Sequence, residues 1–171
     1  LYIAAGRMGL WVMDADEDPA SRPPDVARID DAPGVNAGNQ TSRRWCTDVE
    51  FVTVGGTTYL LALFASKDDT KVRVHKLVSA RKVINDFPEQ TGHELVPWKN
   101  IPIGRHPALA TCNEGADVSR SFGFSMAIDV IDAGTSYLYI AMGEHGIARL
   151  HLTTANLGSP FLWPVPDTQW G

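Results

Sequence analysis

LYIAAGRMGLWVMDAD (Leu1–Asp16) and LYIAMGEHGIARLHLT (Leu138–Thr153) are two versions of one phrase. Leu1, Tyr2, Ile3, Ala4, Gly6 and Gly9 align with Leu138, Tyr139, Ile140, Ala141, Gly143 and Gly146 at a constant offset of 137 residues (138 − 1). A third copy lies between them. GTTYLLAL from Gly56 aligns with GTSYLYIA from Gly134, and VRVHKL from Val72 aligns with ARLHLT from Ala148. The second alignment pairs Arg73 with Arg149 and His75 with His151. Self-similarity of this kind marks a repeat architecture. The copies begin at Leu1, Leu60 and Leu138, so the insertions fall between them.

Each copy is an apolar strand, a short turn and a more alternating strand. In the two later copies, DVEFVTV (Asp48–Val54) and MAIDVID (Met126–Asp132) precede these through the glycine-containing turns GGTT and AGTS, which predicts hairpins. A weaker fourth strand is expected near residues 24–29, 81–84 and 161–165. LYIAM has no polar positions, so that strand must be covered on both faces, as in stacked antiparallel sheets. Helical periodicity is nearly absent, and Gly 15 with Pro 11 punctuate the chain. The expected fold is all-β: a β-propeller with about three four-stranded antiparallel blades. The units span about 1–30, 46–87 and 124–171, with a long inter-blade loop over about 88–123. Propellers close with roughly four to eight blades, so this is expected to be part of a larger ring. Leu1–Ala5 already reads as a buried strand, which fits a piece of something longer. The alternative is a β-sandwich, which shares the strand and turn spacing.

Composition narrows the function classes. With 44% hydrophobic and 20% charged residues the chain matches an ordinary globular domain rather than a disordered one. A formal charge of -5, with scattered Lys and Arg, gives no basic stripe for nucleic acid. The longest apolar run, Tyr59–Ala65, is too short to span a bilayer. Cys46 and Cys112 show no metal or haem spacing; they are either two buried thiols or one disulfide, which would suit an oxidising compartment.

The phrases LYIAAGRMGLWVMDADEDP and YLYIAMGEHGIARLHLT resemble LVIVD-type propeller repeats. Tyr2, Gly6, Gly9, Leu10, Val12, Asp14 and Pro19 fit that pattern, and Tyr139, Gly143, Gly146, Ile147 and Leu150 fit it again. His151 departs from the expected Asp, and SKDDTK replaces the two-glycine turn in the middle copy. The resemblance implies a propeller of extracellular, periplasmic or cell-surface location and says little about activity.

Candidate sites follow from where a propeller places its loops. The turns at Arg7-Met8, Ser66–Thr70 and Glu144-His145 share a face with the connections between units. His145, Glu144, His106 and Asp117, with His93, are candidates for a metal or polar ligand, since imidazole and carboxylate suit a transition metal. No HExxH-like spacing accompanies them. Asp14, Asp16 and Asp18 resemble the start of a calcium loop, but Pro19 replaces its glycine and the bidentate Glu is missing. Asp129, in an inner strand, is a ligand candidate. Arg73, His75, Arg149 and His151 are expected on polar faces of third strands. Ser125 lacks a nucleophile elbow. No cofactor is expected beyond the candidate metal ion. The chain therefore reads as an exported, non-enzymatic interaction or scaffold module that binds a protein or carbohydrate partner or assembles with itself. The alternative is a metal-dependent propeller hydrolase or oxidoreductase with its site at the channel mouth.

Overall fold

In the computed structural model of the chain, residues 1–13, 26–29, 44–66, 70–82, 90–103, 123–143, 146–159 and 166–167 are described. They form three antiparallel sheets. The first contains β1 (Tyr2–Ala4), β2 (Leu10–Met13) and β3 (Val26–Ile29) in that order. The second contains β4 (Trp45–Val54), β5 (Thr57–Ala65), β6 (Thr70–Lys82) and β7 (Gln90–Pro102). The third contains β8 (Ser125–Asp132), β9 (Thr135–Ala141), β10 (Ile147–Thr153) and β11 (Pro166–Asp167), with the short helix α1 (Thr154–Gly158) after β10. The all-β expectation holds.

The repeated glycines explain why the phrase recurs. Gly6 and Gly143 have φ of 55° and 63°, and Gly9 and Gly146 have φ of 82° and 72°. All four sit in the left-handed region, where a Cβ is penalised. Two hydrogen bonds of each turn match. Ala5 N donates to Gly9 O (2.9 Å) and Met142 N to Gly146 O (2.8 Å). Gly9 N donates to Gly6 O (3.0 Å) and Gly146 N to Gly143 O (3.1 Å).

The sheets pack face to face, with the second in the middle. β5 supplies both interfaces because successive side chains point to opposite faces. Leu60, Ala62 and Phe64 pack with Cys46 and Val49 against Tyr2, Ala4, Leu10 and Val12 of the first sheet. Tyr59, Leu61 and Leu63 pack with Val52, Val72 and Val74 against Leu138, Ile140, Leu150 and Leu152 of the third. From Leu60 to Ala65 every residue is 0% exposed. Burying one such Leu or Phe side chain contributes about 1.5–3 kcal/mol.

Polar contacts clasp the second sheet to the third. The bulge between Cys46 and Asp48 aims the Asp48 carboxylate across the gap, where Oδ2 accepts from Met126 N at 2.6 Å. Thr47 Oγ1 donates to Gly123 O (2.9 Å). At the other end, Gly55 N donates to Ala133 O (2.7 Å). α1 starts on a capping box: Asn156 N donates to Thr153 Oγ1, and Asn156 Oδ1 accepts from Thr153 N. Its last carbonyls, which a helix leaves unpaired, accept from the second sheet. Leu157 O takes the Tyr59 hydroxyl and the Trp98 indole N–H, and Asn156 O takes Lys99 Nζ.

Three expectations need correction. Residues 90–102 are not part of an inter-unit loop but form β7, the fourth strand of the second sheet, and β6 runs on through Lys82 instead of breaking before a strand at 81–84. A proline inside a strand argues against a central position. β7 is the edge strand, and Pro97 sits where the register shifts between Val74 and His75. The last described strand of the third sheet is Pro166–Asp167, and the expected strand at 161–165 lies outside the described residues.

The third correction concerns the aligned Arg-x-His pairs, which occupy opposite faces. Leu60 stands opposite His75 and Ala62 opposite Arg73. In the third sheet Leu138 stands opposite Leu150, while His151 faces Tyr137 and Arg149 faces Tyr139. With a side-chain period of two, this one-residue difference in register swaps the faces. Arg73 and His75 therefore lie on the side of the first sheet, whereas Arg149 and His151 lie on the outer side of the third.

We expect Leu61→Ala to cost about 2–5 kcal/mol, as buried Leu truncations do. Val130→Ala, at a side chain 62% exposed, stays within about 0.5 kcal/mol. Urea unfolding midpoints of the two variants check both.

Candidate functional site

One end of the stack gathers the β1–β2 and β9–β10 turns and the starts of β4 and β8. Backbone bonds fix this arrangement. Gly6 N donates to Cys46 O (3.0 Å) and Cys46 N to Gly6 O (2.9 Å), which sets Trp45 beside the Arg7-Met8 turn. The Arg7 guanidinium carbon lies 5.3 Å from the centroid of the Trp45 ring. Thr47 and Asp48 tie the start of β4 to that of β8, and Phe124 N donates to Ala141 O (2.9 Å). Trp45, Met8 and Phe124 are 42%, 45% and 54% exposed there. The Phe124 ring also occupies the space above Gly143: a Cβ on that glycine would stand 2.9 Å from Phe124 Cε2. Aromatic and Arg side chains at a surface are the residue types that anchor protein contacts and stack on sugars.

A second feature is a cleft of about 130 Å³ at the β6–β7 bulge, lined by Arg73, His75, Pro97, Trp98, Lys99 and Asn100 among others. Val74 is paired with Lys99 and His75 with Pro97, so Trp98 is the extra residue. Lys76 Nζ lies 3.3 Å from the Trp98 ring centroid. His75 is 1% exposed, and its Nδ1 has no hydrogen-bond partner within the protein. Burial, and secondarily the Arg73 charge, push its pKa down to about 4, so the ring is neutral at pH 7. Burial also lowers the pKa of Lys99. The cleft falls below the roughly 300–1,000 Å³ of cofactor and substrate pockets.

The sequence candidates separate. Asp129 is exposed on β8 and forms a cross-strand row with Tyr137 and His151 on the outer face of the third sheet. His151 stacks on Tyr137 at 4.8 Å between centroids, and the Arg149 guanidinium carbon lies 4.9 Å from the same ring. Cys46 is a free, buried thiol. Burial, with Asp48 nearby, pushes its pKa up to about 12, so it is an unreactive core residue. Asp48 serves as a backbone acceptor. Ser125 is exposed at the start of β8. His145, Glu144, His106, Asp117, Asp14, Asp16, Asp18 and Cys112 lie outside the described residues, as does the side chain of His93. Among the described residues no three His, Cys, Asp or Glu come together as a metal site. None of their helices is long and apolar enough to cross a membrane. Trp45 and Phe124 were not singled out by sequence; the available signal was an aromatic residue at the start of β4 and another just before β8.

No family model, curated protein or solved structure matches the chain.

The buried imidazole generates a pH dependence. His75 titrates near 6.5 when unfolded and near 4 when folded, so between these values the unfolded chain binds the additional proton. Its contribution is complete above pH 6.5, falls as the pH drops towards 4, and is level below that. The loss reaches about 3 kcal/mol. The unfolding free energy of wild type, taken relative to that of His75→Leu, should fall by about 3 kcal/mol between pH 7 and pH 4.

Proposed function

We propose that the chain is part of an LVIVD-like β-propeller, exported and non-enzymatic, that serves as an interaction module. The observation that carries this is the exposed surface of Arg7, Met8, Trp45 and Phe124 at the end where turns and inter-sheet connections converge. Binding surfaces of propellers lie at that end. Support for the propeller itself comes from the orientation of the units. Leu60 and Ala62 face the preceding sheet, and so do their repeat counterparts Leu138 and Ile140. A stack in which every sheet faces the same way can be bent into a ring. β8 fits too: it is exposed over most of its length, as a strand beside a channel would be.

A protein partner suits this surface better than a small substrate, because the exposed groups form an apolar and aromatic end rather than an enclosed cavity. Carbohydrate is the second ligand class, through stacking on Trp45.

Trp45→Ala and Phe124→Ala should each weaken capture of the partner by about 30-fold, the effect of losing a 2 kcal/mol anchor, while the circular dichroism spectrum is unchanged. Unaltered binding in both variants would place the interface elsewhere. Metal analysis of the purified protein addresses the enzyme alternative: stoichiometric metal lost in His145→Ala would overturn the module in favour of a metal-dependent hydrolase or oxidoreductase. A crystal structure tests the architecture, which requires the sheets to splay about an axis running past β4 and β8. Flat parallel layers would indicate a sandwich.

A further inference from the structure

We infer that the cleft at the β6–β7 bulge binds a small carboxylate, of about the size of acetate, through His75 and Arg73. It shares no residue with the surface of Arg7, Met8, Trp45 and Phe124, so each can be tested alone.

The imidazole is the starting point. Leu60 stands opposite His75, whereas its repeat counterpart Leu138 stands opposite Leu150. An imidazole therefore occupies a position that the third sheet fills with leucine. Its cross-strand neighbours are Leu60 and Pro97, and neither side chain can form a hydrogen bond. His75 is 1% exposed, and its Nδ1 has no hydrogen-bond partner among the described residues. Folded proteins seldom bury a polar side-chain atom in this way unless water, an ion or a ligand completes it. The space for such a group is adjacent, because His75 lines the cleft of about 130 Å³.

The lining decides the charge of the occupant. Arg73, His75, Lys99 and Asn100 contribute to it, and among the described residues no Asp or Glu does. This local excess of cations stands against a formal charge of -5 for the chain. Alternation along β6 puts Arg73 and His75 on one face, with Asn100 and Pro97 opposite them on β7. Pro97 and Asn100 are exposed, Arg73 is half-buried and His75 is buried, so the cleft deepens towards the imidazole. A guanidinium presents a planar fork that matches a carboxylate, and an imidazole N–H and the Asn100 amide are further donors. Lys99 Nζ donates to Asn156 O, so it acts on the occupant only through its charge. Pro97 and Val74 supply apolar wall, which suits a short alkyl group better than a strongly hydrated phosphate. The size agrees: a cavity of about 150 Å³ holds benzene, and acetate is smaller.

Nuclear magnetic resonance of the whole chain at pH 7 tests this, with acetate replacing chloride at constant ionic strength. The His75 ring nitrogen signals should shift saturably, with a Kd of about 1–10 mM, the range open to so small a ligand. Arg73→Gln should weaken binding at least about tenfold. His75→Leu, read from the Trp98 backbone amide, should weaken it by about as much. Phosphate should bind less tightly than acetate. A cleft that holds only water would give no saturable shift up to about 100 mM acetate, and that result overturns the inference. Unchanged affinity in Arg73→Gln or in His75→Leu, or tighter binding of phosphate, overturns it as well. Circular dichroism checks folding. If Arg73→Gln is unfolded, Arg73→Lys replaces it: the charge stays, the fork is lost, and affinity should drop about threefold.

Discussion

Everything in this molecule is arranged around β5, whose side chains are buried on both faces. A strand of that kind has no exposed side, so it needs a sheet in front and another behind. The first and third sheets meet that need with their own apolar faces. The polar groups then settle position within the stack. Asp48, projected by a bulge, satisfies a backbone N–H in the next sheet, and the carbonyls at the end of α1 accept donors from β5 and β7. An unpaired buried N–H or C=O costs about 1–3 kcal/mol, so these contacts give the apolar layers one preferred alignment.

That alignment creates the surface assigned to binding. Trp45 and Phe124 belong to sequence segments far apart in the chain: Trp45 opens β4 and Phe124 directly precedes β8. The bridge between Gly6 and Cys46 and the bond from Thr47 to Gly123 bring them to one end. Their exposed positions follow from strand ends that these bonds hold together. The cleft at His75 has a different origin. Its buried imidazole follows from the register of β6, which turned a position occupied by Leu150 in the third sheet into a polar one.

Much of this was legible from the repeated phrase. The apolar strands β1, β5 and β9 were marked by Leu-Tyr-Ile-Ala and its variant, and the turns by glycines that adopt positive φ. Gly55-Gly56 and Ala133-Gly134 marked the hairpins. β7 was hidden because Pro97 and the polar residues around it read as loop; an edge strand with a bulge tolerates both. The five residues of α1 are too few to show a helical period, and its capping box uses Asn156 where Glu or Gln is the more familiar signal. The face swap of Arg73 and His75 could not be read from the alignment, because residue identity is preserved while pairing register changes. Trp45 and Phe124 escaped notice because their shared location depends on contacts between sheets.

The clasp between the second and third sheets has a kinetic side. Tyr59, Trp98, Lys99, Thr47 and Asp48 all bind the third sheet, whereas among the described residues the first meets the second through the Gly6–Cys46 bridge, ring contacts of Arg7 with Trp45 and of Tyr2 with Phe51, and an apolar layer. Sheets held so unequally open separately. The amide protons of β1 and β2 should exchange with solvent through a partial opening that leaves the other two sheets together, while those of β5 exchange only when the whole chain unfolds.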